Sequence, residues 1–217
     1  MLLIFDLDGT LINSKKDLTI STNATREHFG LPPLDEETVG SYVGNGVAML
    51  VRRAMGPDAT EELIESALQY FMKFYRTHAI ENTRLYPGVR ESVQELAAEK
   101  HKLAVLTNKP GRISFDIIGA LGLGDYFMRV YGGDSLAGKK PDPVGILTLM
   151  QEGAARPEET LMIGDSAVDV QTARNAGVRS CGVLWGFQPE TFAAFPPDIT
   201  VREPRELAGS VGLLLNT

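Results

Sequence analysis

Apolar positions along this chain follow two rhythms. Short unbroken runs at residues 2–5, 103–106, 127–131, 161–163 and 180–185 read as buried strands, with 199–201 as a short edge strand. Helical patterns lie between them at 88–99, 112–121, 143–152 and 168–176. In the first of these Val89, Val93, Leu96 and Ala97 fall at i, i+4, i+7 and i+8, one apolar face at helical period. A last helix is expected over 204–214, opened by Pro204. Strand–helix alternation of this kind predicts an α/β fold, a doubly wound, Rossmann-like parallel sheet.

The rhythm breaks once. Residues 14–80 contain no convincing strand; 18–29, 47–55 and 61–77 read as helices. A crossover needs one helix, so several predict an inserted α-helical subdomain. The division is then an α/β core of residues 1–13 and 81–217 with a helical insert of 14–80. Thr83-Arg84-Leu85-Tyr86-Pro87-Gly88 looks like the return, Pro-Gly marking the turn into a helix.

Composition narrows the class. A chain of 217 residues with 43% hydrophobic and 23% charged residues is ordinary for a globular protein. No apolar run reaches the roughly 18 residues of a membrane span. The first residues enter a strand directly, so no signal peptide is expected, and Cys181 as sole cysteine excludes an internal disulfide. Both fit a cytoplasmic setting. The net charge of −7 argues against nucleic acid or an anionic membrane as partner. Positive charge for an anionic substrate must therefore be local or come from a metal.

The chemistry collects at strand ends, where open α/β sheets bind ligands. The first strand runs into Asp6-Leu7-Asp8-Gly9-Thr10. Residues i and i+2 of a strand share a face, roughly 6.5–7 Å apart, so Asp6 and Asp8 can serve one pocket. One acid of such a pair can attack while the other handles the proton. Residues 161–163 lead into Gly164-Asp165, with Asp169 four residues on, inside the first turn of a helix. Asp6, Asp8 and Asp165 in one crevice repel one another unless a cation sits among them. Hard oxygen ligands without His or Cys point to Mg²⁺. Thr107-Asn108 ends another strand and offers hydrogen bonds to phosphoryl oxygens, or alternatively an ordinary helix cap. Lys139 and Lys140 precede Pro141, and one of them can neutralise charge in the crevice.

The ordered set Asp6-x-Asp8-Gly-Thr, Thr107-Asn108, Lys140-Pro and Gly164-Asp165-x-x-x-Asp169 resembles the haloacid dehalogenase superfamily over nearly the whole chain. Val43-Gly44-Asn45-Gly46, Thr107-Asn108-Lys109-Pro110 and Gly132-Gly133-Asp134 look like the bacterial phosphoglycolate phosphatases within it. The resemblance implies that the insert is an α-helical cap. It implies that Asp6 attacks phosphorus and that Asp8 protonates the leaving oxygen, then activates water. Mg²⁺ would be held by Asp6, the main-chain carbonyl of Asp8, and Asp165. Thr107 would bind a phosphoryl oxygen with Asn108 nearby, Lys140 would stabilise the nucleophile and phosphoryl group, and Asp169 would orient Lys140 or the metal's water shell. The substrate would be a small phosphorylated metabolite, 2-phosphoglycolate first. Alternatives are pyrophosphate, a nucleotide or a sugar phosphate, a sugar-phosphate mutase, or, in a different class, a phospho-accepting receiver domain. A monomer or homodimer is expected.

Substrate choice is expected to lie in the insert. Gly44, Asn45 and Gly46 form a loop before a helix carrying Arg52 and Arg53. Glycines allow close backbone approach, and a helix N-terminus with Arg52 could receive a small carboxylate.

Overall fold

The computed structural model describes residues 1–214. Strand β1 (Leu2–Phe5) is fully buried and forms the centre of the sheet. Successive side chains of a strand point to opposite faces, and the core divides accordingly. Leu3 and Phe5 join Leu103, Val105, Leu161 and Ile163 on one side. Leu2 and Ile4 join Ala104, Leu106, Ile146, Leu149 and Met162 on the other. A strand buried on both faces needs an unbroken apolar run, and this is why Leu2–Phe5 does not alternate.

The remaining elements are β2 (Ile12–Asn13), α1 (Lys15–His28), α2 (Glu36–Ser41), α3 (Val47–Met55), α4 (Glu61–His78), β3 (Arg84–Leu85), α5 (Val89–Ala98), β4 (Lys102–Leu106) and α6 (Gly111–Ala120). Then follow β5 (Phe127–Tyr131), α7 (Val144–Gly153), β6 (Thr160–Gly164), α8 (Ala167–Ala176), β7 (Arg179–Val183), β8 (Ile199–Val201) and α9 (Leu207–Leu214). The main sheet has the order β5-β4-β1-β6-β7-β8 with every neighbouring pair parallel. From β1 the chain winds first toward β4 and β5, then toward β6, β7 and β8. The reversal opens a crevice beyond the carboxyl ends of β1, β4 and β6.

The sequence expectations hold for the α/β sheet and for β8 at its edge. Three differences have local causes. The fifth strand stops at Val183, because Leu184–Trp185 enter a turn in which the indole N–H of Trp185 donates to Thr10 O (3.0 Å). The last helix starts later than its proline, with Pro204–Glu206 forming a 3-10 turn before α9. The short helix α2 carries little apolar signal and is capped by Asp35, whose side chain accepts from Thr38 N.

Helices α1–α4 pack on one another around Leu18, Leu50, Val51, Ile64, Ala67, Phe71 and Tyr75, and this inserted α-helical cap is continuous with the larger core. Its two connections to the sheet lie side by side as the antiparallel pair β2–β3, Ile12 opposite Leu85 and Asn13 opposite Arg84. Asp17, 1% exposed, fastens this junction. Its carboxylate accepts from the main-chain N–H of Asn82 and Thr83, the Asn82 amide and the Thr83 hydroxyl, at 2.8–2.9 Å. Burial alone would raise the Asp17 pKa; the Asn82 and Thr83 hydrogen bonds outweigh it and hold it below the usual value.

A depressed carboxyl pKa contributes stability above its unfolded-state value, about 3.9, that is lost as pH falls through the folded value. Asp17→Asn is expected to lower unfolding free energy at neutral pH by about 2 kcal/mol. The difference from wild type should shrink below about pH 4. Urea titrations at several pH values check this; a pH-independent difference would contradict it.

Candidate active site

The end of β1 turns sharply. Gly9 has φ +81°, and a Cβ built there would lie 2.1 Å from Asp165 Oδ2, so this turn needs glycine both for its backbone and for room. The turn delivers Asp6 and Asp8 to the crevice, β4 delivers Thr107, Asn108 and Lys109, and β6 delivers Asp165 and Ser166. All of these line one pocket. Its other wall comes from the cap: Leu18, Val43, Gly44, Gly46, Val47, Leu50, Phe71 and Tyr75.

Oxygens of Asp6, Asp165 and Asp169 lie within 4.8 Å of one another, and all three residues are buried. Lys140, 4% exposed, sits against them, its Nζ 2.8 Å from Asp6 Oδ1 and 2.6 Å from Asp169 Oδ1. Burial alone would push Lys140 toward neutrality; Asp169 and Asp6 outweigh it and raise its pKa. One ammonium does not balance three acids. Asp6 is pushed up to about 6, by burial and by Asp169 against the pull of Lys140. Asp165 is pushed well above its ordinary value by burial, then by Asp169 and Asp6. Such a cluster fits a divalent cation.

The donor set narrows further. Both oxygens of Asp169 are committed, Oδ1 to Lys140 and Oδ2 to the N–H and hydroxyl of Ser166 in a capping box at the start of α8. Asp165 Oδ2 accepts from the N–H of Phe187 (2.6 Å). Asp6 Oδ1 is buried and accepts no well-directed hydrogen bond. The side chain of Asp8 is held by the Ser14 hydroxyl and, through both oxygens, by Lys109 Nζ at 3.0 Å. Its carboxylate oxygens are therefore committed, like those of Asp169. Asp6 and Asp165 are the side chains with oxygens to spare, and hard carboxylate oxygens suit Mg²⁺-like ions.

The family model of haloacid dehalogenase-like hydrolases matches residues 3–183. The chain belongs to this family. Among relatives of this haloacid dehalogenase-like hydrolase are the phosphoglycolate phosphatases of Chromobacterium violaceum, 42% identical over 94% of this chain and 92% of that protein, and of Vibrio vulnificus, 39% identical over 91% and 90%. A crystal structure of a predicted phosphoglycolate phosphatase from Haemophilus somnus superposes with a TM-score of 0.90 at 32% identity, covering 96% of each chain.

The other expected residues sort by place. Thr107 Oγ1 accepts from the N–H of Lys109 (3.3 Å), which leaves its own proton free to donate. Asn108 is not an ordinary cap; α6 begins after Pro110, without a side-chain cap. Both protons of the Asn108 amide go to main-chain carbonyls, Gly44 at 2.8 Å in the cap and Lys140 at 2.9 Å. Asn108 therefore ties the cap loop to the lysine loop, and its side-chain amide has no proton left for a phosphoryl oxygen. Gly44 lines the pocket. Asn45 sits at the rim, its side chain accepting from Arg53 and its main-chain carbonyl from Lys139. Arg52 does not line the pocket. It is exposed and makes a two-pronged ion pair with Glu61, the first residue of α4.

Sequence reasoning assigned no role to Lys109, Tyr75 or Gln188. Lys109 is 5% exposed, holds Asp8, and lies 4.8 Å from the centre of the Tyr75 ring. Tyr75 is 1% exposed, and burial pushes its pKa up to about 12, so it keeps its proton. The Gln188 amide donates to the carbonyls of Ser41 and Val43 at 3.0 Å, a second tie between core and cap. Lys109 was legible as the residue after Thr107-Asn108. Nothing in one sequence placed Tyr75 or Gln188 opposite it.

Like-charge crowding gives a direct test. A divalent cation at a hundredfold excess over its Kd should stabilise the wild type by about 2.7 kcal/mol, roughly 5–10 °C in Tm. Asp165→Asn should be at least as stable as wild type without metal and gain no Tm with it. Thermal melts with EDTA or MgCl₂ decide; a full Mg²⁺ shift in the variant would contradict the assignment.

Proposed function

We propose that the protein is a Mg²⁺-dependent phosphomonoester hydrolase acting on a small phosphorylated metabolite, with 2-phosphoglycolate the leading substrate, through an aspartyl-phosphate on Asp6. The observation that carries this reading is the pairing at the end of β1. Asp6 sits against Lys140 and the acidic cluster, while Asp8, two residues on, faces the same pocket with different partners. Two carboxylates in different surroundings can take different roles. The two relatives named phosphoglycolate phosphatase, matched over most of their length, support the substrate.

In this mechanism the Asp6 carboxylate attacks phosphorus. The bond to the ester oxygen breaks, and Asp8 gives that oxygen its proton, releasing the alcohol. Asp8, now a carboxylate, takes a proton from water as the water attacks the phosphorus of the aspartyl-phosphate. Inorganic phosphate leaves and Asp6 is regenerated. The Thr107 hydroxyl donates to a phosphoryl oxygen. Lys140 offsets charge at Asp6, and Asp169 holds Lys140 in place. Asp6, the Asp8 carbonyl and Asp165 would hold the cation, which supplies charge neutralisation for the phosphoryl group. Residues 1–13 and 81–217 act as the catalytic core and 14–80 as the cap that closes over the substrate. A cytoplasmic location and a monomer or homodimer fit this reading; among the described residues no helix is long and apolar enough to cross a membrane.

Phosphate release from 2-phosphoglycolate, pyrophosphate, nucleotides and sugar phosphates, with and without Mg²⁺, tests the proposal. 2-Phosphoglycolate should give the highest kcat/KM, and EDTA should abolish turnover. Asp6→Asn should be inactive on every substrate, and Asp8→Asn should lose about 10²–10⁴-fold in kcat. Turnover of none of these esters by the wild type, or full activity of Asp6→Asn, would sink it.

A further inference from the structure

The pocket has a polar wall and an apolar wall. The core supplies Asp6, Thr107 and Asp165, where the phosphoryl group is proposed to sit, and the cap supplies Val43, Leu50 and Phe71. A substrate with a second negative group needs positive charge between them. The cap arginines do not supply it. Arg52 is paired with Glu61, and Arg53 donates to Tyr42 O and Asn45 Oδ1. Among the described residues lining the pocket, Lys109 is the one lysine or arginine.

An ammonium has three protons. The two oxygens of Asp8 engage Lys109 Nζ, which leaves donor capacity for a further acceptor. Tyr75 stands beside it, its ring centre 4.8 Å from Nζ, and its buried hydroxyl donates its proton to no described group. A buried donor left unpaired is costly and calls for an explanation. An ammonium and such a hydroxyl side by side form a donor pair for an anion.

We infer that Lys109 and the Tyr75 hydroxyl are the receptor for a carboxylate on the carbon next to the phosphoester, and that they select the substrate. This rests on the phosphatase reading above. Spacing limits the group. Asp8 must reach the ester oxygen, and Lys109 is hydrogen-bonded to Asp8, so the receptor lies about one small group from that oxygen. A longer chain would meet Leu50 and Phe71. The selecting charge thus comes from the core, immediately after Thr107 and Asn108, and the cap contributes the hydroxyl and the apolar wall.

Kinetics of the full chain with Mg²⁺ on 2-phosphoglycolate and ethyl phosphate, which carries a methyl group in place of the carboxylate, read the inference as a ratio of kcat/KM values. Lys109→Met is expected to slow both, because Asp8 loses its anchor. It should cost 2-phosphoglycolate roughly 30- to 100-fold more. Tyr75→Phe keeps the ring and its packing, and should lower the ratio by about 3- to 10-fold, chiefly through KM. Equal losses on the two esters in both variants would show that Lys109 merely positions Asp8, and would overturn the inference while leaving the phosphatase reading intact. If Lys109→Met fails to fold, an unchanged ratio in Tyr75→Phe alone overturns it. Turnover of neither ester by the wild type would instead remove the reading beneath it, and the inference with it.

Discussion

Three carboxylates confined within 4.8 Å, almost out of reach of water, are the constraint around which this molecule is arranged. Isolated, each would be driven to neutrality. The fold answers with fixed partners. Lys140 bridges Asp6 and Asp169, Ser166 takes the other oxygen of Asp169, and the N–H of Phe187 takes one oxygen of Asp165. Close approach has a steric side as well. A Cβ at Gly9, Gly164 or Gly186 would lie within 2.1 Å of an atom of Asp165 or Asp169. One ammonium against three acids leaves the compensation incomplete, with Asp6 and Asp165 held above their ordinary values by burial and by their acidic neighbours, and that imbalance would give a cation its affinity. The cost is sustained by a sheet whose central strand is buried on both faces.

Two ties cross from core to cap beside this cluster, Asn108 to Gly44 and Gln188 to Ser41 and Val43. Each begins next to a residue proposed for the active site. Asn108 follows Thr107, and Gln188 follows the residue whose N–H holds Asp165. Cap position is therefore tied to the proposed phosphoryl site through short main-chain distances. Asp17 fixes the other end of the cap, where both connections leave the sheet. The cap is thus anchored at a rigid junction and latched at the pocket mouth, an arrangement suited to closing around a small ligand and excluding water.

The sheet and the acids were legible because both are local signals. An apolar run such as Leu2–Phe5 can be satisfied only inside a parallel sheet, and acids at its end must then share a crevice. Asp169 was legible as a helix-first-turn acid and turned out to be that and more, capping α8 while binding Lys140. The failures came where tertiary packing decides. Arg52 sits on an amphipathic helix, but which way an arginine turns depends on its neighbours, and Glu61 on α4 takes it. Asn108 was expected at a phosphoryl oxygen or as a helix cap, and packing instead gives its amide to the carbonyls of Gly44 and Lys140. Lys109 stood in a motif without a role of its own until Asp8 and Tyr75 were placed around it. The strands β2 and β3 are two residues each, below any periodicity, and exist because the cap must leave and return at one point.

The central claim is that Asp6, not water or another acid of the cluster, first bonds to phosphorus. Acid quench of the enzyme during turnover of 2-phosphoglycolate, borohydride reduction of the acyl phosphate and peptide mass spectrometry would test it most directly. Reduction at position 6 alone, absent without substrate, is the result this account predicts. Reduction at Asp8, Asp165 or Asp169, or none while phosphate is released with inversion at phosphorus, would contradict it.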